Sequence, residues 1–419
     1  MTHRTQLQNG ITAIAVENNA ADIIAARLFF KAGSRWESPT QSGLSYLLAN
    51  TITKGTPNLS AADVAEKVES VGASLGADAA ADYFLMSLKT VSADFKGMLH
   101  LLGEILRSPT FPEAEVALER HLTLQHIRSQ QEQPFNMAFK QLRQAMYPQH
   151  PYGVSVMGTE ETVAQLQQAD LQKYHQDHLR PENLVISISG CLTPEEAFAL
   201  VEQVFGDWQN PPRDLPPLQL PELSNNPVTQ QLTQDTQQSI LMLGYLAASV
   251  HHEDYIPLKL LNTYLGNGLS SRLFVELREK RGLAYDVSAF YPTRLGRSQF
   301  VAYMGTAPEN TAIALEGLHQ EVQRLCTVKL LPEELQAAKN KILGQYALGK
   351  QTNAEIAQIL GWYETIGVGI DFDDQFPTYV NCITPEIAQQ VAQRYFSGDP
   401  YITVVGPETV DFEALGSRQ

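Results

Sequence analysis

A cluster of prolines at the midpoint of the chain restricts the possible folds more than any other feature. Between Gln209 and Val228 the prolines are Pro211, Pro212, Pro216, Pro217, Pro221 and Pro227. Because proline lacks an amide hydrogen and has a fixed φ, this segment can form neither a continuous helix nor a central strand. The chain has 419 residues, which is more than one ordinary core accommodates. We therefore predict a linker at 209–227 between a first domain at 1–208 and a second domain at 228–419.

The two halves of the chain repeat the same order of sequence patterns. A helical pattern that ends at Gly72 and precedes two strand patterns recurs about 210 residues later, ending at Gly282. Likewise, the helix, turn and buried strand of 170–190 have a counterpart at 386–406. Helices and hairpins that alternate within each half are typical of an α+β unit. The sequence therefore predicts an α+β fold of two homologous domains, each a mixed sheet with helices packed on it.

Composition excludes several classes of protein. The formal charge is −16 and no basic cluster offsets it, which argues against a surface that follows nucleic-acid phosphates. No apolar run approaches the roughly 20 residues that span a bilayer, so we predict no membrane span. The N-terminal residues lack the apolar core of a signal peptide, which favours a cytoplasmic location. Cys191, Cys326 and Cys382 are too few for a disulfide framework, and we expect them to be reduced and buried.

The segment from Gly43 to Thr56 contains an amphipathic helical pattern. Its apolar positions, at helical spacing, are Leu44, Leu47, Leu48 and Thr51. Tyr46, Ala49 and Asn50 share a different face of this helix. A phenol, a methyl group and a carboxamide are neither good zinc ligands nor general bases near neutral pH. Taken alone, these residues indicate a packed helix without chemistry of its own.

The frame Gly43-Leu44 and Lys54-Gly55-Thr56 resembles the signature region of the pitrilysin and mitochondrial-processing-peptidase family. Catalytic members of that family carry the inverted zinc motif H-x-x-E-H in this region. The resemblance covers essentially the whole chain and places the first histidine at Tyr46, the glutamate base at Ala49 and the second histidine at Asn50. It places the distal glutamate ligand at His126. The resemblance therefore implies a chain without the zinc ligands and base of the family, so we expect no cofactor here and zinc in a partner subunit.

The segment Leu265 to Tyr285 is similar to the second signature of the family, a glycine-rich turn that leads into L-R-x-K-x-x-L-A-Y. This similarity implies that Arg278 and Tyr285 contact the substrate peptide beside the scissile bond. A guanidinium and a phenol can donate hydrogen bonds to a peptide carbonyl and to the oxyanion that develops from it. Without the family frame, Arg278 would be interpreted as a solvated helix residue and Tyr285 as a packing residue.

Three other segments have weaker claims to a function. Residues 251–254 read His-His-Glu-Asp, but adjacent side chains rarely converge on one ion, which favours a surface loop. His175 and His178 lie three residues apart, and we interpret them as a solvated helix end. Gly266 and Gly268 indicate a tight turn, because no Lys-Ser/Thr pair follows them as in a phosphate-binding loop.

Together these observations predict the non-catalytic, substrate-binding subunit of a heteromeric zinc processing peptidase, inactive alone. The resemblance implies that each chain forms a half-shell, and that a homologous partner carrying the zinc motif completes a heterodimer around a chamber. The substrate would be an extended peptide, and a basic one if the acidic charge lines the chamber. Two alternatives remain open: a structural scaffold without a peptidase role, and a homodimer that binds peptides without cleaving them.

Overall fold

The computed structural model describes residues 1–407, which form two mixed β-sheets with helices packed on them. The strands of the first sheet are β1 (Thr2–Gln6), β2 (Thr12–Glu17), β3 (Ile23–Phe30), β4 (Ser74–Ala79), β5 (Phe84–Val91) and β6 (Leu184–Gly190). Those of the second sheet are β7 (Thr229–Thr233), β8 (Ser239–Ala247), β9 (Asp286–Phe290), β10 (Ser298–Thr306) and β11 (Tyr401–Gly406).

The described residues contain eight α-helices before the linker and six after it. Those before the linker are α1 (Leu44–Thr51), α2 (Ala61–Glu69), α3 (Ser92–Arg107), α4 (Glu113–Gln131), α5 (Pro134–Met146), α6 (Glu160–Gln165), α7 (Gln168–His178) and α8 (Pro194–Phe205). Those after it are α9 (Tyr255–Gly266), α10 (Thr311–Thr327), α11 (Pro332–Leu348), α12 (Asn353–Thr365), α13 (Phe372–Asn381) and α14 (Pro385–Phe396). A π-helix spans Phe274–Lys280.

Apart from β1, which has no counterpart in the second sheet, the two sheets have the same topology, and the predicted α+β fold is confirmed. The first sheet has the order β1-β2-β6-β3-β5-β4 and the second has the order β7-β11-β8-β10-β9. In each sheet one pair of neighbours is parallel, β2 with β6 and β7 with β11, and the other neighbours are antiparallel. Gly72 and Gly282 both have a positive φ, at 62° and 64°, where the preceding helix ends in each half.

The compact units of the structure are not contiguous halves of the chain. The first unit contains residues 1–128, 154–220 and 347–373, and the second contains 129–153, 221–346 and the residues from 374 onward. The predicted domains 1–208 and 228–419 follow the order of the sequence repeats. In the packed chain, residues 129–153 of the first half belong to the second unit, and residues 347–373 of the second half belong to the first unit. Sequence periodicity could not reveal this exchange, because an apolar helix face does not specify the sheet that it covers.

The exchanged helices α5 and α12 occupy equivalent positions in the two units. Helix α12 packs on β3 and β6 of the first sheet, where Leu360 joins a buried cluster with Ile14, Phe29, Leu85 and Val185. Helix α5 packs on β8 and β11 of the second sheet, and Phe135 makes an edge contact with Tyr303 at 4.9 Å between ring centroids. Each sheet is therefore covered by a helix from the other half of the sequence.

The start of the proline-rich segment is attached to the first unit, although residues 209–228 contain neither helix nor strand. Asn210 accepts a hydrogen bond from the backbone of Glu182 at 3.1 Å and donates one to the carbonyl of Asn9 at 2.7 Å. Arg180 donates to the carbonyl of Arg213 at 2.6 Å. These contacts hold the first residues of the linker in place.

Two remaining expectations concern membranes and cysteines. Across residues 1–407, no helix has both the length and the apolar character that crossing a membrane requires. The three cysteines are free thiols, as predicted, but only Cys326 is buried. Cys191 and Cys382 are exposed because they lie just after β6 and α13 end, outside the packed part of each element. The prediction of burial was wrong for these two.

Candidate functional site

Helix α1 presents the face that the sequence predicted to the core. Its apolar positions Leu44, Leu47, Leu48 and Thr51 are all buried. Glu37 holds the start of this helix, because its carboxylate accepts hydrogen bonds from the backbone of Gly43 at 2.8 Å and of Ser45 at 2.7 Å. Burial raises the pKa of Glu37 to about 7. The sequence offered no signal for this cap, since Glu37 lies seven residues before α1 begins at Leu44.

The residues at the positions of the zinc motif cannot bind a metal together. Ala49 is buried and offers only a methyl group, while Tyr46 and Asn50 are half-buried. The Asn50 amide donates to the backbone carbonyl of Tyr46 at 3.0 Å, one helical turn earlier. Its polar group is therefore used within the helix, as Asn side chains commonly are.

His126, at the position of the distal ligand, is an exposed residue of α4. Two turns earlier on α4, Glu119 forms an ion pair with Lys54 at 2.9 Å, and this contact joins α4 to the segment after α1. Within residues 1–407, no group of three or more His, Cys, Asp or Glu side chains could hold a metal ion. Because a zinc site needs at least three such protein ligands, the residues present do not fit the zinc of the family.

His175 and His178 are buried, so their interpretation as a solvated helix end was wrong. The ring of His175 forms a hydrogen bond with the carbonyl of Leu106 at 2.7 Å, and the ring of His178 lies 4.5 Å from that of Tyr174. Burial lowers the pKa of both imidazoles, that of His178 to about 4. Helix α7 packs against α1, which removes this end from solvent.

The segment 251–254 is a turn before α9, as predicted. His251, His252 and Glu253 are exposed, whereas Asp254 is buried. The carboxylate of Asp254 pairs with Arg394 and accepts a hydrogen bond from the hydroxyl of Tyr395 at 3.1 Å. Asp254 therefore attaches this turn to α14.

Arg278 lies on the π-helix and is exposed. Its guanidinium carbon is 5.0 Å from the ring centroid of Phe274, one turn earlier. The neighbouring carboxylate of Glu276 pairs with Arg272 and Lys280 instead. Among the described residues, Arg278 has no carboxylate partner, so its positive charge is available to a ligand.

Tyr285 directly precedes β9, and 62% of its surface is exposed. Its backbone amide donates to the carbonyl of Gly305 at 2.9 Å, which positions the residue while its ring faces solvent. In the part of the chain that the structure covers, its hydroxyl forms no hydrogen bond, and no hydrogen bond or cation–π contact joins it to Arg278. Both side chains therefore present unused hydrogen-bond donors at the surface of the second unit.

The predicted tight turn is confirmed at Gly268, whereas Gly266 is the last residue of α9 and is closely packed. A Cβ atom on Gly266 would lie 2.0 Å from the backbone nitrogen of Ala289, and Gly268 has a φ of 76°. Lys341 of α11 donates to the carbonyl of Asn267 and so holds the turn. Sequence reasoning missed Lys341, because a lysine in a long polar helix carries no signal for such a contact.

Comparison with known proteins identifies the family of this chain. Residues 13–160 match the family model "Insulinase (Peptidase family M16)", and residues 165–342 match "Peptidase M16 inactive domain". An uncharacterized zinc protease of Bacillus subtilis, YmxG, is 26% identical over 97% of this chain and 98% of its own. An uncharacterized zinc protease of Rickettsia bellii is also 26% identical, with the same coverage of both chains.

Two solved structures have the same fold. A protease from Helicobacter pylori superposes with a TM-score of 0.90 at 22% identity, over 97% of this chain and 98% of that one. The peptidase M16 inactive domain from Pseudomonas fluorescens superposes with a TM-score of 0.91 at 24% identity, over 98% and 99%. The two family models cover most of the sequence without overlapping, which confirms the predicted family. The chain belongs to peptidase family M16, and its second family match is to the inactive domain of that family.

Proposed function

We propose that this protein is the non-catalytic, substrate-binding subunit of a heteromeric zinc-dependent peptidase. The observation that carries this proposal is the contrast between its two family signatures. Tyr46, Ala49 and Asn50 replace the ligands and the base, whereas Arg278 and Tyr285 are retained, with exposed side chains that lack polar partners within residues 1–407. A homologous partner chain would supply the zinc ion and the general base.

The role of Arg278 and Tyr285 in this proposal follows from their chemistry. An extended peptide presents carbonyl oxygens, which accept hydrogen bonds from a guanidinium and from a phenol. When a peptide carbonyl is attacked, negative charge develops on its oxygen, and donors directed at that oxygen lower the barrier. Neither group can activate water or bind zinc, so cleavage depends on the partner.

The exposure of the pair favours this role over a purely structural one. A structural arginine in an acidic protein commonly pairs with a carboxylate, and Arg272 on the same segment does so with Glu321 at 2.7 Å. Arg278 has no such partner among the described residues. The proposed role gives both side chains a use, whereas the scaffold alternative does not require either of them.

The first experiment measures peptide cleavage by this chain alone, by a homologue that carries H-x-x-E-H from the same organism, and by both together. We expect the mixture to cleave extended peptides and to co-elute as a heteromer, while this chain alone is inactive and contains no stoichiometric zinc. Strong cleavage by the lone chain would overturn the proposal. Self-association with bound peptide and without cleavage in any mixture would favour the homodimer, and recovery only in a large unrelated assembly would favour the scaffold.

The second experiment tests the two proposed contact residues within the complex. We expect Arg278→Ala and Tyr285→Phe each to lower kcat/KM by about 100-fold, at the lower end of the range found when a donor to a developing oxyanion is removed. Complex formation should be unchanged. The matched controls are Lys280→Ala on the same π-helix and the exposed Tyr379→Phe of the same unit, and both should retain the activity of the wild type. If all four variants behave alike, Arg278 and Tyr285 have no special role.

A further inference from the structure

A cavity of about 320 Å³ in the first unit lies outside both family signatures. It is bounded by the end of α3, the end of α7 and the start of the proline-rich segment. The side chains used here from its wall are Arg107, His175, Arg180, Trp208, Pro211 and Arg213. Three arginines around one small cavity are unusual in a chain with a formal charge of −16.

Arg180 is the most buried of these arginines, with 2% of its surface exposed. Its Nη2 atom donates to the carbonyl of Arg213 at 2.6 Å and pairs with Glu182. Its Nε and Nη1 atoms are buried and have no hydrogen-bond partner among the described residues. Because water cannot reach these two atoms, they do not face the cavity, and Arg180 contributes positive charge to the wall rather than a free donor.

The other two arginines pair with carboxylates but retain further donors. Arg107 pairs with Asp207 at 2.7 Å, and this carboxylate is 75% exposed. Arg213 pairs with Asp177 at 2.5 Å. A guanidinium has five N–H groups, and one carboxylate occupies at most two of them. His175, on the same wall, adds no positive charge, because burial lowers its pKa and favours the neutral ring.

We infer that this cavity binds a small oxyanion, either phosphate or a carboxylate, through the partly exposed donors of Arg107 and Arg213, with the positive charge of Arg180 behind them. The planar donors of arginine match the geometry of both oxyanions. Trp208 and Pro211 form an apolar part of the wall, which limits the ligand to a compact molecule. Because Pro211 and Arg213 belong to the proline-rich segment, the bound anion would join the start of that segment to α3 and α7. This inference does not depend on the proposed peptidase role.

The test measures thermal unfolding and calorimetric binding of the full-length protein with sodium phosphate, sodium acetate or sodium chloride at constant ionic strength. We expect saturable stabilisation by phosphate or by acetate beyond that of chloride, and the more effective salt identifies the oxyanion. Trypsin cleavage after Arg213 should slow in the presence of the same anion. Arg107→Gln and Arg213→Gln, at partly exposed positions, should weaken binding at least tenfold even if Arg180→Gln fails to fold.

The matched control is Arg128→Gln, which removes an exposed arginine of the same unit that pairs with Glu160 away from the cavity. It should bind the anion as the wild type does. If neither phosphate nor acetate acts beyond chloride, or if the cavity variants respond like the wild type, the inference is wrong.

Discussion

At the scale of single residues, two buried titratable groups of the first unit have pKa values shifted in opposite directions. Glu37 caps α1 and has its pKa raised to about 7 by burial, whereas His178 of α7 has its pKa lowered to about 4 by burial. In both cases burial disfavours the charged form. The two groups should therefore make stability depend on pH with opposite signs.

The first prediction concerns Glu37. Its pKa in the folded protein lies above the ordinary value of 4.5, so its contribution is complete below pH 4.5 and is lost as pH rises through about 7. The loss amounts to about 3 kcal/mol in the free energy of unfolding. Glu37→Gln cannot ionise and should remove this decline. Urea unfolding of both proteins between pH 5 and 7.5 measures it, and parallel pH profiles would contradict the prediction.

The second prediction concerns His178. Its pKa in the folded protein lies below the ordinary value of 6.5, so its contribution is complete above pH 6.5 and is lost as pH falls through about 4. The expected loss is again about 3 kcal/mol. His178→Phe keeps an aromatic ring against Tyr174 and should flatten this part of the profile. The exposed His251→Phe serves as the control, and it should leave the pH dependence unchanged.

At the scale of elements, the covering helix α12 fits its sheet because it carries a glycine at the contact. A Cβ atom on Gly361 would lie 2.8 Å from the ring of Phe29 and 2.9 Å from the Cβ atom of Ser187. By contrast, a Cβ atom on Gly344 of α11 would meet no atom within 4 Å. Packing therefore leaves no room for a side chain at Gly361, whereas it leaves room for one at Gly344.

The third prediction compares these two glycines. Gly361→Ala should lower the free energy of unfolding by about 1–3 kcal/mol, because it overpacks the contact between α12 and β3. Gly344→Ala should raise it by up to about 1 kcal/mol, because alanine favours a helix and fits without strain. Chemical denaturation of the two variants measures both effects. Equal changes of the same sign would show that packing at Gly361 does not control the docking of α12.

At the scale of the whole molecule, the exchange of α5 and α12 makes each unit depend on both halves of the chain. The sheet of the first unit needs α12, which follows the proline-rich segment, and the sheet of the second unit needs α5, which precedes it. A break in that segment would cut the chain without removing either helix from its sheet. The covalent link between the two halves of the chain is therefore not what keeps α5 and α12 on their sheets.

The fourth prediction uses a specific protease site inserted after Gln219, an exposed position of the proline-rich segment. After cleavage, the two fragments should elute together at the volume of the uncut protein and separate only in denaturant. The reason is that each exchanged helix buries apolar surface on a sheet of the other fragment. Separation of the cut fragments in native buffer would contradict this prediction, and the protein without the inserted site controls for other cleavage.

Much of this organisation could be predicted because it is encoded locally or by repetition. The recurrence that ends at Gly72 and Gly282 indicated two similar sheets, and the spacing in α1 indicated which of its faces is buried. The loss of the zinc motif at Tyr46, Ala49 and Asn50 is visible in the residue types alone, since carbon and amide groups cannot replace imidazoles. The proline-rich segment likewise excludes regular structure by its composition.

Only the tertiary structure decided which parts of the chain meet. It placed α5 and α12 on opposite sheets, buried His175 and His178, set Glu37 at the start of α1 and assembled three arginines around one cavity. An amphipathic pattern shows that a helix face must leave water, but many apolar surfaces can satisfy it equally well. The choice among them depends on contacts between residues far apart in sequence, which only the packed chain specifies.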